Sequence, residues 1–543
     1  MAAYMGRIRV VSALVLLSRL AGFARDAALA HVLGAREVMS AFSTAFALPN
    51  VVRGLFGEGA LSAAFIPVFT EYLESGDRKA AGRFFSLMVV LVVSVLAAVT
   101  LVAVGVFLVL RHLTADLPRY HLLFGVAAAV FPFVIAVCLV ALLQAALNAC
   151  KHFVMPALAP VLLNVFIIGG AVVGGLCFSE GVAIRVYVIA AAILAAGVAE
   201  VAIQVPALRR VGLPFRPVWD LAHPALGRVL RLVGPMVLAL GIIEINAAID
   251  KLIGYVLMQP PGGGETFRLG AWTVAWPIET GAPAVLYYAQ RLYWLPLGVF
   301  GVAIGTVIFP ELSAFAARKD DAGMARVAGH ALRLTVFVGL PAGAGLMLLA
   351  APFLRAFFNH GQFAQAPDAV GRTAIVAVVY AAGLWAFSAN HILVRAFYAR
   401  QDTRTPLRIA ALSAAVNIAL DLVLVWPLAE RGLALATVIA AVVQLAALAR
   451  ALARRFGGLP WRAIGSTAVR TLAASAAMAA VAGALVYLAL PATGLAGRPL
   501  ALGQLAAGLV AGAAAFAATA RLLRLEELRD VFSRGKAGTV GSP

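Results

Sequence analysis

Charge is what this sequence has least of. Asp, Glu, Lys and Arg make up 12% of its 543 residues, about half the share of a soluble globular chain, while 63% are hydrophobic. A soluble enzyme or binding domain is thereby excluded, and a polytopic all-α membrane protein remains. Cysteine is also scarce. Cys138, Cys150 and Cys177 are odd in number and form no metal-ligand cluster, which excludes a disulfide framework and a cysteine metal centre. Hydrolytic motifs are missing: there is no Walker loop with its Lys and Ser/Thr, no HExxH and no Ser-His-Asp set. With no ATPase of its own, the chain reads as a secondary transporter that needs no cofactor, not as an enzyme. Acidic residues number 24 against 43 Lys and Arg, a net charge of +19. That excess lies in short loops between apolar runs, where topology accounts for it without nucleic acid as a partner.

A bilayer core of about 30 Å needs roughly 20 apolar residues per helix, and about fourteen such runs lie between residues 8 and 523. The first, 8–30, ends in a signal-peptide-like Ala28-Leu29-Ala30, but Arg19, Arg25 and Asp26 interrupt it and no soluble domain follows, so it reads as a retained helix. The run 40–66 is broken by Pro49, Gly54, Gly57 and Gly59, whereas 407–427 and 432–452 are clean and separated by the polar turn Glu430-Arg431-Gly432. Basic loops such as Arg209/Arg210/Arg216 and Arg450/Arg454/Arg455 recur on one side, which puts both termini in the cytoplasm. The stretch 259–283, rich in Gly, Pro and Trp, is then a long outer loop, and the polar end GKAGTVGSP reads as disordered.

The chain also repeats itself. Leu48-Pro49 and Phe65-Ile66-Pro67 match Leu295-Pro296 and Ile308-Phe309-Pro310, and NACKHFVMP ending at Pro156 matches YARQDTRTP ending at Pro406. A repeat of six spans preserves orientation, so 1–210 and 211–460 are read as two parallel six-helix lobes. Residues 461–525 then supply two further helices and 526–543 a cytoplasmic tail.

Charges inside the spans carry the chemistry. Arg19, Arg25, Arg53, Lys251, Arg291 and Arg395 lie within or near the ends of spans, where charge is costly and faces a protein interior or a watery cavity. One reading is local: snorkelling, or pairing of Arg25 with Asp26 and of Arg53 with Glu58. The other is a shared cationic cavity for an anionic cargo, and guanidinium suits phosphate oxygens. In the second repeat Asp250, Asn417, Asp421 and Thr437 offer oxygens, with Asn417 and Asp421 on one helix face. They suit a hard cation such as sodium, a proton relay, or plain interhelical hydrogen bonds.

The runs SRLAGFARD (18–26), LPNVVRGLFGEGALSAAFIP (48–67), YYAQRL (287–292), GVFGVAIGTVIFPELS (298–313) and FYARQDTRTP (397–406) closely resemble the MurJ/MviN family of lipid II flippases, within the multidrug/oligosaccharidyl-lipid/polysaccharide exporter superfamily. The resemblance implies two six-helix lobes around a cavity and two C-terminal helices grooved for a lipid tail. It implies a bacterial cytoplasmic (inner) membrane protein moving undecaprenyl-pyrophosphate-linked disaccharide pentapeptide between leaflets by alternating access, with membrane lipids and cell-wall synthesis proteins as partners. It places Arg19, Arg25, Arg53 and Arg291 on the cargo pyrophosphate, and Asp26 and Glu58 at a gate. It puts a sodium coupling ion on Asp250, Asn417, Asp421, Thr437 and the Leu433 carbonyl. The sequence departs from the family pattern at Ser40, Ala47 and Gln290 and in the length of the 259–283 loop. Rival readings are an exporter of another lipid-linked glycan or an organic cation, and a non-transporting scaffold of cell-wall synthesis.

Overall fold

The computed structural model describes residues 2–55, 61–178, 181–220, 223–270, 272–456 and 458–532. Its contacts divide it into two units, Met1–Ala284 with His360–Pro367, and Val285–Asn359 with Asp368–Pro543. The first carries α1 (Ala2–Leu33), α2 (Glu37–Val52), α3 (Leu61–Glu74), α4 (Arg78–Leu113), α5 (Pro118–Val130), α6 (Phe133–Ala149), α7 (Val154–Cys177), α8 (Val182–Arg210), α9 (Pro224–Val256) and the strands β1 (Thr266–Leu269) and β2 (Trp272–Ala275). The helix α10 (Ala282–Pro296) starts in the first unit and runs into the second, which continues with α11 (Val302–Ala317) and α12 (Asp321–Phe357). The short α13 (Gly361–Ala364) returns to the first unit. Then follow α14 (Ala369–Ala382), α15 (Leu384–Ala399), α16 (Arg404–Leu428), α17 (Glu430–Phe456), α18 (Trp461–Ala484), α19 (Gly497–Leu522) and α20 (Glu527–Phe532).

Among the described residues, ten helical stretches are long and apolar enough to cross a bilayer, or eleven if α14 and α15, which meet at 42°, form one span. The other three expected runs, 8–30, 40–66 and 229–257, are helical too, within α1, α2–α3 and α9. They carry the charges and glycines that lower apolarity, and 56–60 lie outside the described residues.

The duplication shows in how helices begin and end. Asp77 accepts a hydrogen bond from the Ala80 N–H at 2.9 Å to cap α4, and Asp320 accepts one from the Gly323 N–H at 2.7 Å to cap α12. The matching motifs 148–156 and 398–406 turn through the left-handed residues Lys151 (φ 60°) and Gln401 (φ 59°). In each, the next N–H reaches back into the preceding helix, His152 to the Leu147 carbonyl and Asp402 to that of Phe397. Each repeat also widens into a π-helical turn at a corresponding place, 53–55 and Leu297–Gly301. The two cores correspond as well. Phe65, Phe69, Phe84 and Leu142 form one, and Leu312, Leu332, Ile392 and Leu448 the other.

In the 259–283 stretch β1 and β2 pair as a hairpin, with Thr266 opposite Ala275. Arg119, buried at the start of α5, donates to the Met258 carbonyl and lies 4.8 Å from the Trp276 ring centre and 4.5 Å from that of Tyr120. The α1–α2 turn is clasped by α13. Gly34 (φ +74°) has no room for a Cβ, which would fall 2.7 Å from the Gln362 carbonyl oxygen, and Gly361 (φ +57°) is pressed likewise against the His31 carbonyl. The left-handed backbone alone costs a side chain about 1–2 kcal/mol. Gly34→Ala is therefore expected to lower stability by at least about that much, read as an earlier thermal unfolding in detergent.

The chain after Leu525 folds back before it becomes a tail. Leu525 and Leu528 pack against Phe337 and Ala520, and the buried Glu527 accepts from Arg333 Nε at 2.7 Å and Thr467 Oγ1 at 2.8 Å. Residues 533–543 lie outside the described ones. Burial pushes the Glu527 carboxyl up, but hydrogen bonds from its own N–H, Thr467 and Arg333, with the Arg333 charge, outweigh burial and hold it below the ordinary value. A lowered carboxyl adds stability that is whole above the ordinary value and is lost as pH falls through the lowered one. Hydrogen exchange at 525–532 is therefore expected to rise on acidification through that window, and in Glu527→Gln to be fast already at neutral pH.

Candidate functional site

Three polar residues meet inside otherwise apolar helices of the first unit. Arg25, near the end of α1, donates from Nε at 2.9 Å and Nη2 at 2.7 Å to one carboxylate oxygen of Asp26, and from Nη1 at 3.0 Å to Asn164 Oδ1 on α7. Asn164 Nδ2 in turn donates to the Ser18 carbonyl at 3.2 Å, so one amide ties the guanidinium and an earlier turn of α1 to α7. Asp26 is 4% and Asn164 6% exposed. With so little water near, these charge-assisted bonds hold the Arg25 fork in one direction. The local pairing of Arg25 with Asp26 is thus realised, and it positions the arginine. Arg19, further back on α1, is exposed.

Arg53 opens the π-helical turn after α2 and is half-buried, with Nε 3.3 Å from Asn50 Oδ1. Within that turn Gly54 lies so close to α9 that a Cβ would strike the Glu244 side chain at 2.5 Å. Glu58, the second expected gate residue, lies outside the described residues.

In the second unit Arg291 on α10 stacks over Tyr287 at 4.5 Å and lies 5.8 Å from the Trp294 ring centre. Its neighbour Gln290 donates to the Tyr380 hydroxyl at 3.3 Å. Asn417 and Asp421 on α16 are buried and joined by an Nδ2 to Oδ2 bond of 2.7 Å, and Thr437 on α17 donates to the Leu433 carbonyl at 3.0 Å. These four share two helices packed along their lengths. Asp250 is half-buried on α9, in the first unit.

Asn164 and Glu200, both buried in the first unit, escaped the sequence reading. Asn164 is the Arg25 partner. Glu200 on α8 is 4% exposed, and its Oε2 has no hydrogen-bond partner among the described residues. Asn164 stands alone in a long apolar run, and Glu200 shares one with Gln204, which is the signal that marks them.

A family model described as "Lipid II flippase MurJ" matches residues 29–501. A "Probable lipid II flippase MurJ" of Rhizobium tropici is 33% identical over 478 residues, covering 87% of this chain and 84% of that one. A "Lipid II flippase MurJ" of Burkholderia cenocepacia is 31% identical over 409 residues, 74% of each chain. Among solved structures, "Lipid II flippase MurJ, inward closed conformation" superposes with a TM-score of 0.70 at 22% identity over 95% of this chain and 99% of that one. An inward-facing multidrug MATE transporter gives 0.64 at 14% identity, over 82% of this chain and 98% of its own. These two likenesses establish the polytopic helical fold.

Proposed function

This chain belongs to the lipid II flippase MurJ family, and from that premise we propose that it carries lipid II from the cytoplasmic to the periplasmic leaflet by alternating access. It is a transporter in the bacterial cytoplasmic membrane, not an enzyme. The observation that carries the reading is the Arg25 fork, fixed by Asp26 and Asn164 within apolar helices. A fixed guanidinium suits the pyrophosphate of a lipid-linked sugar, whose oxygens it grips in pairs. Arg19, Arg53 and Arg291 are the further cargo contacts in this reading, with Asp26 and Glu58 closing the path. The repeats 1–210 and 211–460 act as the two lobes, helices within 461–525 guide the prenyl tail among membrane lipids, and both termini are cytoplasmic. Other cell-wall synthesis proteins are its expected neighbours.

The test is rescue of cells depleted of their own lipid II flippase, scored as lipid II reaching the outer leaflet. Rescue with outer-leaflet lipid II is expected. Growth restored without it would point to a scaffold, and no effect of a well-expressed protein would point to another cargo.

Sodium is the proposed coupling ion. The donor set fits a hard cation: Asp421 supplies negative charge, and Asn417, Thr437 and the Leu433 carbonyl supply neutral oxygens on two packed helices. Asp250 completes the set in this reading. A bound sodium would favour one conformation by its differential affinity. Sodium, unlike choline, is expected to raise the thermal unfolding temperature of the purified protein, and Asp421→Asn to remove that difference. Equal stabilisation by both salts would remove the ion from the scheme.

A further inference from the structure

We propose that Glu200 is a proton site that answers to the charge at Arg53, taking up a proton when a cargo phosphate occupies that arginine and releasing it when the cargo leaves. The proposal rests on the reading of Arg53 as a cargo contact.

Glu200 lies well inside α8, ten residues before its end at Arg210, and its side chain is enclosed. One turn back along the same face, Gly197 brings α8 so close to α6 that a Cβ would fall 2.5 Å from the Ala136 Cβ. One turn on, Gln204 is fully buried, spends its amide N–H on the Glu200 backbone carbonyl at 3.0 Å, and leaves its own Oε1 without a hydrogen-bond partner among the described residues. Neither neighbour gives the Glu200 carboxyl a donor. Two buried oxygens thus stand one helical turn apart with no donor among the described residues, an arrangement that a proton on the carboxyl relieves.

Arg53 follows directly on α2, which packs against both α8 and α6, and the buried Cys138 thiol of α6 faces the Val52 carbonyl at 4.0 Å. The remaining titratable groups on the packed elements include Glu37 in the first turn of α2 and Arg19 and His31 of α1. Arg119, Tyr120 and His121 lie in the first turn of α5 and Cys177 at the end of α7. Arg185 and Tyr187 lie in the first turns of α8, Arg185 bonded to the Phe178 and Val32 carbonyls, and Arg209 and Arg210 close that helix. Arg25 and Asp26 of α1 hold each other.

The coupling follows from electrostatics. A lone carboxylate away from water is costly unless a cation offsets it, and Arg53 is that cation. Phosphate oxygens bonded to Arg53 withdraw that compensation and add like-charge repulsion, so the carboxylate is better off as the neutral acid. One proton then enters from solvent for each cargo bound, and by linkage binding weakens as pH rises. No other reactant is required.

The test titrates the purified full-length protein with undecaprenyl pyrophosphate at mildly alkaline pH, in two buffers of different ionisation enthalpy. For the wild type, the measured heat is expected to differ between the buffers by an amount corresponding to proton uptake. Glu200→Gln is expected to bind with the same heat in both buffers, and Glu200→Asp to keep the uptake over a shifted pH range. Wild-type binding without proton uptake, or uptake undiminished in Glu200→Gln, overturns the proposal while leaving Arg53 a cargo contact. No binding by the wild type overturns the cargo reading itself.

Discussion

Arg25→Ala is expected to fail in two separable ways. Outer-leaflet lipid II in flippase-depleted cells should fall to the level of the empty vector, because in the proposed reading the guanidinium is the group that meets the pyrophosphate. The purified variant should also unfold earlier, because Asp26, whose side chain is 6% exposed, loses the cation that offsets its charge. Breaking a buried ion pair by removing one member costs about 3–5 kcal/mol. The lower end applies here, since the Arg25 side chain is 16% exposed. The double variant Arg25→Ala/Asp26→Asn separates the two effects: it removes the stranded charge, so unfolding should return toward wild type while transport stays absent. Arg25→Lys should fall between, keeping the charge but losing the fork that bonds Asp26 and Asn164 together. If the double variant recovered transport along with stability, Arg25 would be a structural residue and the pyrophosphate grip would lie elsewhere.

What was legible in the sequence follows from which physical signals are local. Hydropathy over some twenty residues is local enough, and the apolar runs became helices near the expected places. The motif match between 148–156 and 398–406 was legible too, and its cause is a shared left-handed turn at Lys151 and Gln401 that composition alone does not reveal. The Arg25–Asp26 pair could be named because its members are adjacent. Asn164 could not be joined to them, since 139 residues separate it from Arg25 and only the packing of α7 on α1 brings them together. The hairpin in 259–283 was hidden for another reason. Its strands are four residues each, among glycines and prolines, and what holds the loop is the distant Arg119 against Trp276. The oxygens proposed for sodium were visible as i, i+4 spacing within α16, but spacing does not distinguish a cation site from the hydrogen bond that Asn417 in fact gives Asp421.

Glu430 shows the same limit and yields the second large effect. In sequence it is the first residue of a polar turn between two spans, where a carboxylate would ordinarily be solvated. In the fold it begins α17 and is 5% exposed, and it accepts a 2.7 Å hydrogen bond from Arg372 Nε on α14. Both side chains of the pair are largely out of water, at 12% for Arg372 and 7% for Glu430. The helix N-terminus favours the carboxylate further, by up to about 1 kcal/mol. Glu430→Ala is therefore expected to cost about 3–5 kcal/mol, since it leaves the Arg372 guanidinium buried without its counter-charge. Thermal unfolding in detergent would measure the loss. Replacing both residues by apolar ones, Arg372→Met with Glu430→Leu, should be close to neutral or stabilising, because the desolvation of two charges is then no longer required. A stable double variant that still moved lipid II would mean the pair only joins α14 to α17. A stable one that no longer did would mean that the ion pair itself, and not the packing it replaces, sets the position of α14 during transport.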